Sequence, residues 1–164
     1  DDAVLWLSVT HVPARENLRA AAAARGIAPE RIVFADYAKQ PQHLARLACA
    51  DLALDVLPYG SHTTGSDALW CGVPLVTHTG STFAGRVGTS LVDAVGLREL
   101  ATASLDEYRA TLESLASRRE RLAHYRNHLE RGRLDFPLFD TAGFARDFER
   151  LLENAANRRF AGAS

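Results

Sequence analysis

Short apolar runs alternate with longer stretches of helical periodicity along the first hundred residues. The runs Ala3 to Val9, Arg31 to Ala35, Asp51 to Leu57 and Leu75 to Thr77 predict strands. Ala3 to Val9, centred on Trp6, is too uniformly apolar for a half-exposed strand and suits a buried parallel one. Helices are predicted from Pro13 to Arg25, with Leu18 facing inward and Gly26 as the stop, and from about Gln40 to Cys49. Connections this short between strands of repeated βαβ units require parallel pairing and right-handed crossovers. Ala84 to Val95 carries Val87, Leu91 and Val95 on one helical face and ends at Gly96; a short strand over Arg98 to Ala101 would follow.

From Ser104 the periodicity is helical throughout. Leu105, Tyr108, Leu112 and Leu115 mark one helix, with Ser104 as N-cap and Glu107 three residues on as a capping box. A strongly charged helix over Arg118 to Glu130 comes next. A last one over Thr141 to Asn154 should turn Phe144, Phe148 and Leu151 inward, and the chain should fray after Arg158. The class is α/β: a Rossmann-like open parallel sheet flanked by helices, with a helical C-terminal tail. We expect one domain over residues 1–164, the sheet core in 1–101 and the tail in 102–158.

Bulk properties narrow this further. At 164 residues, with 47% hydrophobic and 24% charged positions, the chain can bury an ordinary globular core. A formal net charge of -1 offers no electrostatic argument for nucleic acid or an anionic membrane. No apolar run approaches the roughly 18 residues that span a bilayer, and no signal-peptide pattern opens the chain, so cytoplasm is the expected compartment. Cys49 and Cys71 lie in apolar helical context, which favours buried thiols in a reducing compartment over a disulfide. The chain has no methionine and starts on Asp1-Asp2, from which we expect a piece of a longer protein. Lys39 is the sole lysine; the arginine bias looks genomic and carries no functional reading.

The chemistry concentrates at Leu54-Asp55-Val56-Leu57-Pro58-Tyr59-Gly60-Ser61-His62-Thr63-Thr64-Gly65-Ser66-Asp67, followed by Ala68-Leu69-Trp70-Cys71-Gly72-Val73-Pro74. This reads as strand, turn and helix, and the first N–H groups of such a helix carry the positive end of its dipole. A phosphate fits there. Thr63 and Thr64 add hydroxyl donors, Gly60 and Gly65 would let a ligand approach the backbone, and Asp67 in the first turn could hold a sugar hydroxyl; the alternative is that Thr63 or Thr64 is merely the N-cap of a packing helix. In an open parallel sheet ligands sit beyond the carboxyl ends of the strands, which brings in the segments after the first two strands, Thr10 to Val12 and Asp36 to Gln42. His43 and Arg46, three apart, share a helical face; such a pair could stack on and hydrogen-bond a base, or simply be solvated.

The stretch from Asp55 to Val76 resembles the nucleotide-binding motif of the protein O-GlcNAc transferase and SPINDLY family, in which His-Thr-Thr-Gly-x-Asp precedes Trp-x-Gly-x-Pro-x-Val-Thr. The likeness continues through Gly80 to Leu91 and, more loosely, Pro137 to Asp140, so that it covers nearly the whole chain. It implies the C-terminal, donor-binding half of a GT-B glycosyltransferase that moves a sugar, GlcNAc from UDP-GlcNAc, to Ser or Thr hydroxyls of proteins. It further implies that Thr63 and Thr64 hold the diphosphate, Asp67 the ribose, and Ala38, His43 and Arg46 the base, with His62 beside the sugar and diphosphate. At Gln40, in the ribose and base region, the family's O-GlcNAc transferases usually carry lysine. The catalytic histidine and the tetratricopeptide repeats of family members lie upstream, so this piece alone should be inactive and hold no catalytic residue.

No acidic pair in metal-ligand context appears, which fits metal-independent transfer with no cofactor beyond the donor; His124 and His128, four apart, lack supporting ligands. His11 and His78 have weaker claims still. The expected partners are a nucleotide sugar and, through upstream domains, an acceptor protein, with neither nucleic acid nor membrane. Two alternatives stay open: a GDP-fucose-dependent protein O-fucosyltransferase of SPINDLY type, and a non-catalytic nucleotide-binding or protein-interaction module.

Overall fold

A computed structural model of the chain describes residues 3–161. It comprises two compact units, one up to His43 and one from Leu44 on, each with its own parallel ladder. In the first unit, β1 (Leu5–Leu7) pairs with β2 (Ile32–Phe34), Trp6 opposite Val33. The link between them is α1 (Val12–Ala23) and a 3-10 turn over Pro29–Arg31. Gly26 ends α1 as expected: its φ of +73° lets Ile27 N–H reach back to the Ala22 carbonyl at 3.0 Å. Two expectations need correction. β1 is shorter than Ala3 to Val9 and not buried, with Leu5 38% exposed, and the residue α1 buries is Ala22, while Leu18 is 36% exposed. The face of β2 presenting Phe34 is covered instead by arginines, with the Arg15 and Arg19 guanidinium carbons 5.3 and 4.9 Å from the ring centre. α2 (Gln40–Leu47) starts in this unit and ends in the next.

The second unit holds β3 (Ala53–Leu54), β4 (Leu75–His78) and β5 (Ala101–Thr102), parallel and in that order. Ala53 is level with Leu75, and Thr77 with Ala101. The helices are α3 (Thr63–Trp70), α4 (Phe83–Ala94), α5 (Leu105–Ser117), α6 (Arg119–Gly132) and α7 (Thr141–Ala161). β4 is the centre. Leu75 and Val76 have almost no exposure, and Leu69, Val92, Leu115 and Leu129 bring α3, α4, α5 and α6 into the same cluster. β3 is far shorter than the run from Asp51 to Leu57. One more ladder bond forms, Asp55 N–H to the Val76 carbonyl at 3.0 Å, and the chain then leaves the sheet. α4 can lie close on β4 because Gly88 has no side chain: a Cβ there would sit 2.5 Å from Thr77 Oγ1 and 2.3 Å from Asp55 Oδ2.

Ser104 caps α5, its Oγ accepting from Glu107 N–H at 3.1 Å; the Glu107 carboxylate reaches back to Ala103 N–H at 2.8 Å, one residue before the place a capping box uses. Further along α5, Tyr108 Oη donates to the Asp55 carbonyl at 2.8 Å, across the ends of the strands. α7 departs from expectation. It runs on to Ala161, past Arg158, and Phe144, Phe148 and Leu151, expected inside, are 67%, 51% and 65% exposed. An amphipathic stripe states which face is apolar; here no described residue covers it. Residues 162–164, within the segment expected to fray, lie outside the described residues.

Two outcomes follow from this packing. Leu129→Ala deletes a fully buried side chain and should lower unfolding free energy by about 2–5 kcal/mol in urea titrations. The Tyr108 phenol is pushed up to about 12, mainly by burial and then by the Asp55 charge, from an ordinary value of 10.0. The unfolded chain therefore loses this proton first, so the stability it confers is intact below pH 10 and falls as pH rises towards 12. Tyr108→Phe should flatten that alkaline loss in pH-dependent thermal melts while lowering stability at neutral pH.

Candidate functional site

α3 starts from an unusual N-cap. His62 takes φ -113° and ψ -101° and offers no side-chain cap to the helix. Thr63 and Thr64 are thus the first two helical residues and not caps. Both are exposed, and neither hydroxyl has a hydrogen-bond partner among the described residues. The first intrahelical bond at this end is Ser66 N–H to the His62 carbonyl, so the amides of Thr63, Thr64 and Gly65 lie ahead of the ladder. Uncapped amides, two free hydroxyls and the positive end of the helix dipole make a place for an anion. Asp67, expected in the first turn, is the fifth residue of α3 and stands in the second turn, because the helix opens at Thr63. Its charge is felt by Cys71, whose thiol is pushed up first by burial and then by Asp67, against a smaller pull from Arg133.

The glycines play a different part from the one the sequence suggested. Gly65 is buried, and a Cβ on it would come within 2.9 Å of Leu91 and 3.2 Å of Leu75. Gly60 is buried against the Ala84 carbonyl and Asp55, each 3.1 Å from its would-be Cβ. Both make room for protein, not for a ligand.

Between β3 and α3 the chain is tied down by Asp55. Its carboxylate, 8% exposed, accepts at Oδ1 from Val56 N–H (2.9 Å), Ser61 N–H (2.6 Å) and Ser61 Oγ (2.7 Å), and at Oδ2 from Thr77 Oγ1 (2.6 Å). The Leu57–Pro58 peptide within this loop is cis. Sequence reasoning assigned Asp55 no part; the available signal was a lone carboxylate inside the apolar run Leu54 to Leu57. The ring of His62 stacks on Tyr59 (5.0 Å, 13° between planes) and meets Phe83 edge-on at 6.2 Å, and its Nε2 is buried without a partner among the described residues. Tyr59 and Phe83 are themselves 65% and 76% exposed, an aromatic pair that sequence reasoning also missed.

The other candidates belong to a different part of the chain. Ala38, Gln40 and His43 lie in the first unit, Ala38 and His43 half-buried and Gln40 exposed at the start of α2; Arg46 follows on the same helix within the second unit. Of the remaining histidines, His128 is committed to packing: Nε2 lies 2.8 Å from the Val95 carbonyl and the ring 5.0 Å from Phe136. His78, at the end of β4, has a buried Nδ1 without a partner among the described residues. Cys49 and Cys71 are free thiols; Cys49 is exposed, not buried, because α2 ends at Leu47 and leaves it on a surface turn. Among the described residues no three His, Cys, Asp or Glu side chains gather as a metal site would need, and no helix is long and apolar enough to cross a membrane.

Comparison with known proteins agrees with this architecture. The sequence profile of glycosyl transferase family 41 matches residues 1–148. A probable UDP-N-acetylglucosamine–peptide N-acetylglucosaminyltransferase of Arabidopsis thaliana, SEC, is 37% identical over 150 residues, 91% of this chain and 15% of that protein. A UDP-N-acetylglucosamine–peptide N-acetylglucosaminyltransferase of Caenorhabditis elegans is 36% identical over 149 residues, 91% of this chain and 13% of its own length. The structure superposes on a mutant O-GlcNAc transferase of Thermobaculum terrenum with a TM-score of 0.82 and 34% identity, covering 95% of this chain and 30% of that one. The chain therefore spans about a seventh of the curated relatives it matches. The Rossmann-like α/β class expected from the strand pattern is the fold observed, and with the profile covering most of its length the chain belongs to glycosyl transferase family 41.

Proposed function

We propose that this chain is the donor-binding part of a protein O-GlcNAc transferase, taking the nucleoside diphosphate end of UDP-GlcNAc at the start of α3. The observation that carries the reading is the uncapped α3 terminus with the unpartnered, exposed hydroxyls of Thr63 and Thr64. In sugar transfer the bond from the anomeric carbon to the diphosphate oxygen breaks as the acceptor hydroxyl oxygen bonds to that carbon. Negative charge collects on the departing nucleoside diphosphate. Helix-end amides and hydroxyls already aimed at that charge lower the barrier without having to reorganise. We assign the diphosphate to this end of α3 and no metal to the reaction.

His62 stands beside it with a buried nitrogen lacking a partner, a group that a diphosphate or sugar oxygen would satisfy once Tyr59 or Phe83 turns aside. Family membership supports assigning the ribose to Asp67 and Gln40, and the base to Ala38, His43 and Arg46. The names of the Arabidopsis and Caenorhabditis relatives support UDP-GlcNAc as donor and a peptide as acceptor. Acceptor recognition and the catalytic base then belong to parts of such proteins that this chain does not span, and the reaction to the cytoplasm.

Titration with UDP, followed by amide NMR, should shift the resonances of Ala38, His43 and Thr63 to Asp67. Thr63→Ala with Thr64→Ala should weaken binding by at least about tenfold, since a hydrogen bond to a charged group contributes roughly 1.5–3 kcal/mol. Unchanged binding in that double variant would sink the cradle. Shifts with GDP and none with UDP would move the assignment to fucosyl transfer.

A further inference from the structure

We infer that Asp55 is a positioning residue for donor binding, setting the place of the first turn of α3 from beneath; the inference rests on the donor-site reading above. Ser61 is held twice by one carboxylate oxygen, through its amide at 2.6 Å and its hydroxyl at 2.7 Å. The next residue is His62, the N-cap, and the two after it are Thr63 and Thr64. No rotatable side chain separates the anchor from the cradle; the link is two residues of backbone. The opposite oxygen of the carboxylate is fixed to Thr77 on β4, the most deeply buried strand. The end of the helix is thereby referenced to the sheet and not to the mobile water around it.

Three further features keep the carboxylate where it is. Gly88 leaves it space that a Cβ would occupy at 2.3 Å, a Cβ on Gly60 would come within 3.1 Å of it, and Tyr108 Oη holds the Asp55 carbonyl at 2.8 Å. All the hydrogen bonds to the carboxylate come from backbone amides and hydroxyls, none from a Lys or Arg among the described residues. A neutral replacement of the same shape therefore strands no cation. It converts Oδ2 from an acceptor into a donor facing the Thr77 hydroxyl, and it weakens the grip on Ser61, because an amide oxygen accepts less strongly than a carboxylate. The expected consequence is a displaced cradle in a protein that still folds.

The test has a part that needs no ligand and a part that does. In the free chain, Asp55→Asn should move the amide resonances of Ser61 and also those of Thr63, Thr64 and Gly65, and speed hydrogen exchange at the bonded amides of Ser61 and Ser66, while Leu115 and Leu129 amides in the core stay protected. Movement confined to Val56 and Ser61 would overturn the inference. In UDP titrations, Asp55→Asn should weaken binding by about ten- to a hundredfold, as small misplacements of binding groups do. Added to Thr63→Ala/Thr64→Ala, it should cost clearly less than it does in the parent, because the two hydroxyls it places are already gone while only the helix-end amides remain to be misplaced. Additive losses would mean general destabilisation and reject the positioning role; Asp55→Asn binding as tightly as the parent, with its core protected, would reject it as well. A parent chain that binds no nucleotide refutes the donor-site reading, and the donor role of Asp55 with it, while the amide movements in the free chain still report separately whether the anchor holds α3.

Discussion

A carboxylate placed beside a buried ladder must find hydrogen-bond donors for both of its oxygens, and the second unit meets that demand at Asp55. The demand explains features that would otherwise look unrelated. The chain abandons β3 after one further ladder bond because the next residues must curl back to present their amides. Position 77 of the buried strand is threonine, not valine, since its hydroxyl is one of the donors. The same strand position accepts at its carbonyl from Thr102 Oγ1 at 3.0 Å, so a polar seam crosses from β5 through β4 to the start of the loop. It runs where the strands end and the apolar core stops, with Thr79 and Thr89 joined at 2.9 Å alongside.

Much of this was legible in the order of residues. The alternation of apolar runs and helical stretches yields parallel strands and crossovers, and Gly26, Gly72 and Gly96, all at positive φ, end helices where a Cβ would be strained. Ser104 announces α5. Thr63 and Thr64 were singled out by two hydroxyls directly after a strand and turn together with the family likeness of the surrounding stretch, and the structure leaves both exposed at the start of α3. What could not be read is anything decided by a residue far along the chain. The burial of Gly65 is set by Leu75 and Leu91, and the direction of Asp55 by Thr77 and Gly88, none of them visible from local spacing. The same limit accounts for Leu18 and β1. Periodicity marks an apolar face and is silent on what, if anything, lies over it.

The site shows a division of labour that family membership alone would not reveal. The hydroxyls of Thr63 and Thr64, proposed to meet the diphosphate, have no partners among the described residues, whereas beneath them Ser61 and Thr77 are both hydrogen-bonded to Asp55. Rigidity beneath and vacancy above is what a binding group needs if its cost of ordering is to be met during folding and not on ligand capture. The aromatic contacts of His62 follow the same logic, since stacking fixes the ring plane while leaving one nitrogen without a partner.

α7 has a consequence for the chain as a substance in solution. Phe144, Phe148, Leu151 and Leu152 recur at the spacing of one helical face, all more than half exposed, with the two phenyl rings stacked at 6.0 Å. Water gains by being released from such a stripe whatever displaces it. Salts that are excluded from protein surfaces raise that gain, and mild chaotropes lower it. Solubility of this chain should therefore respond to such salts through this one helical face as well as to pH through its small net charge of -1.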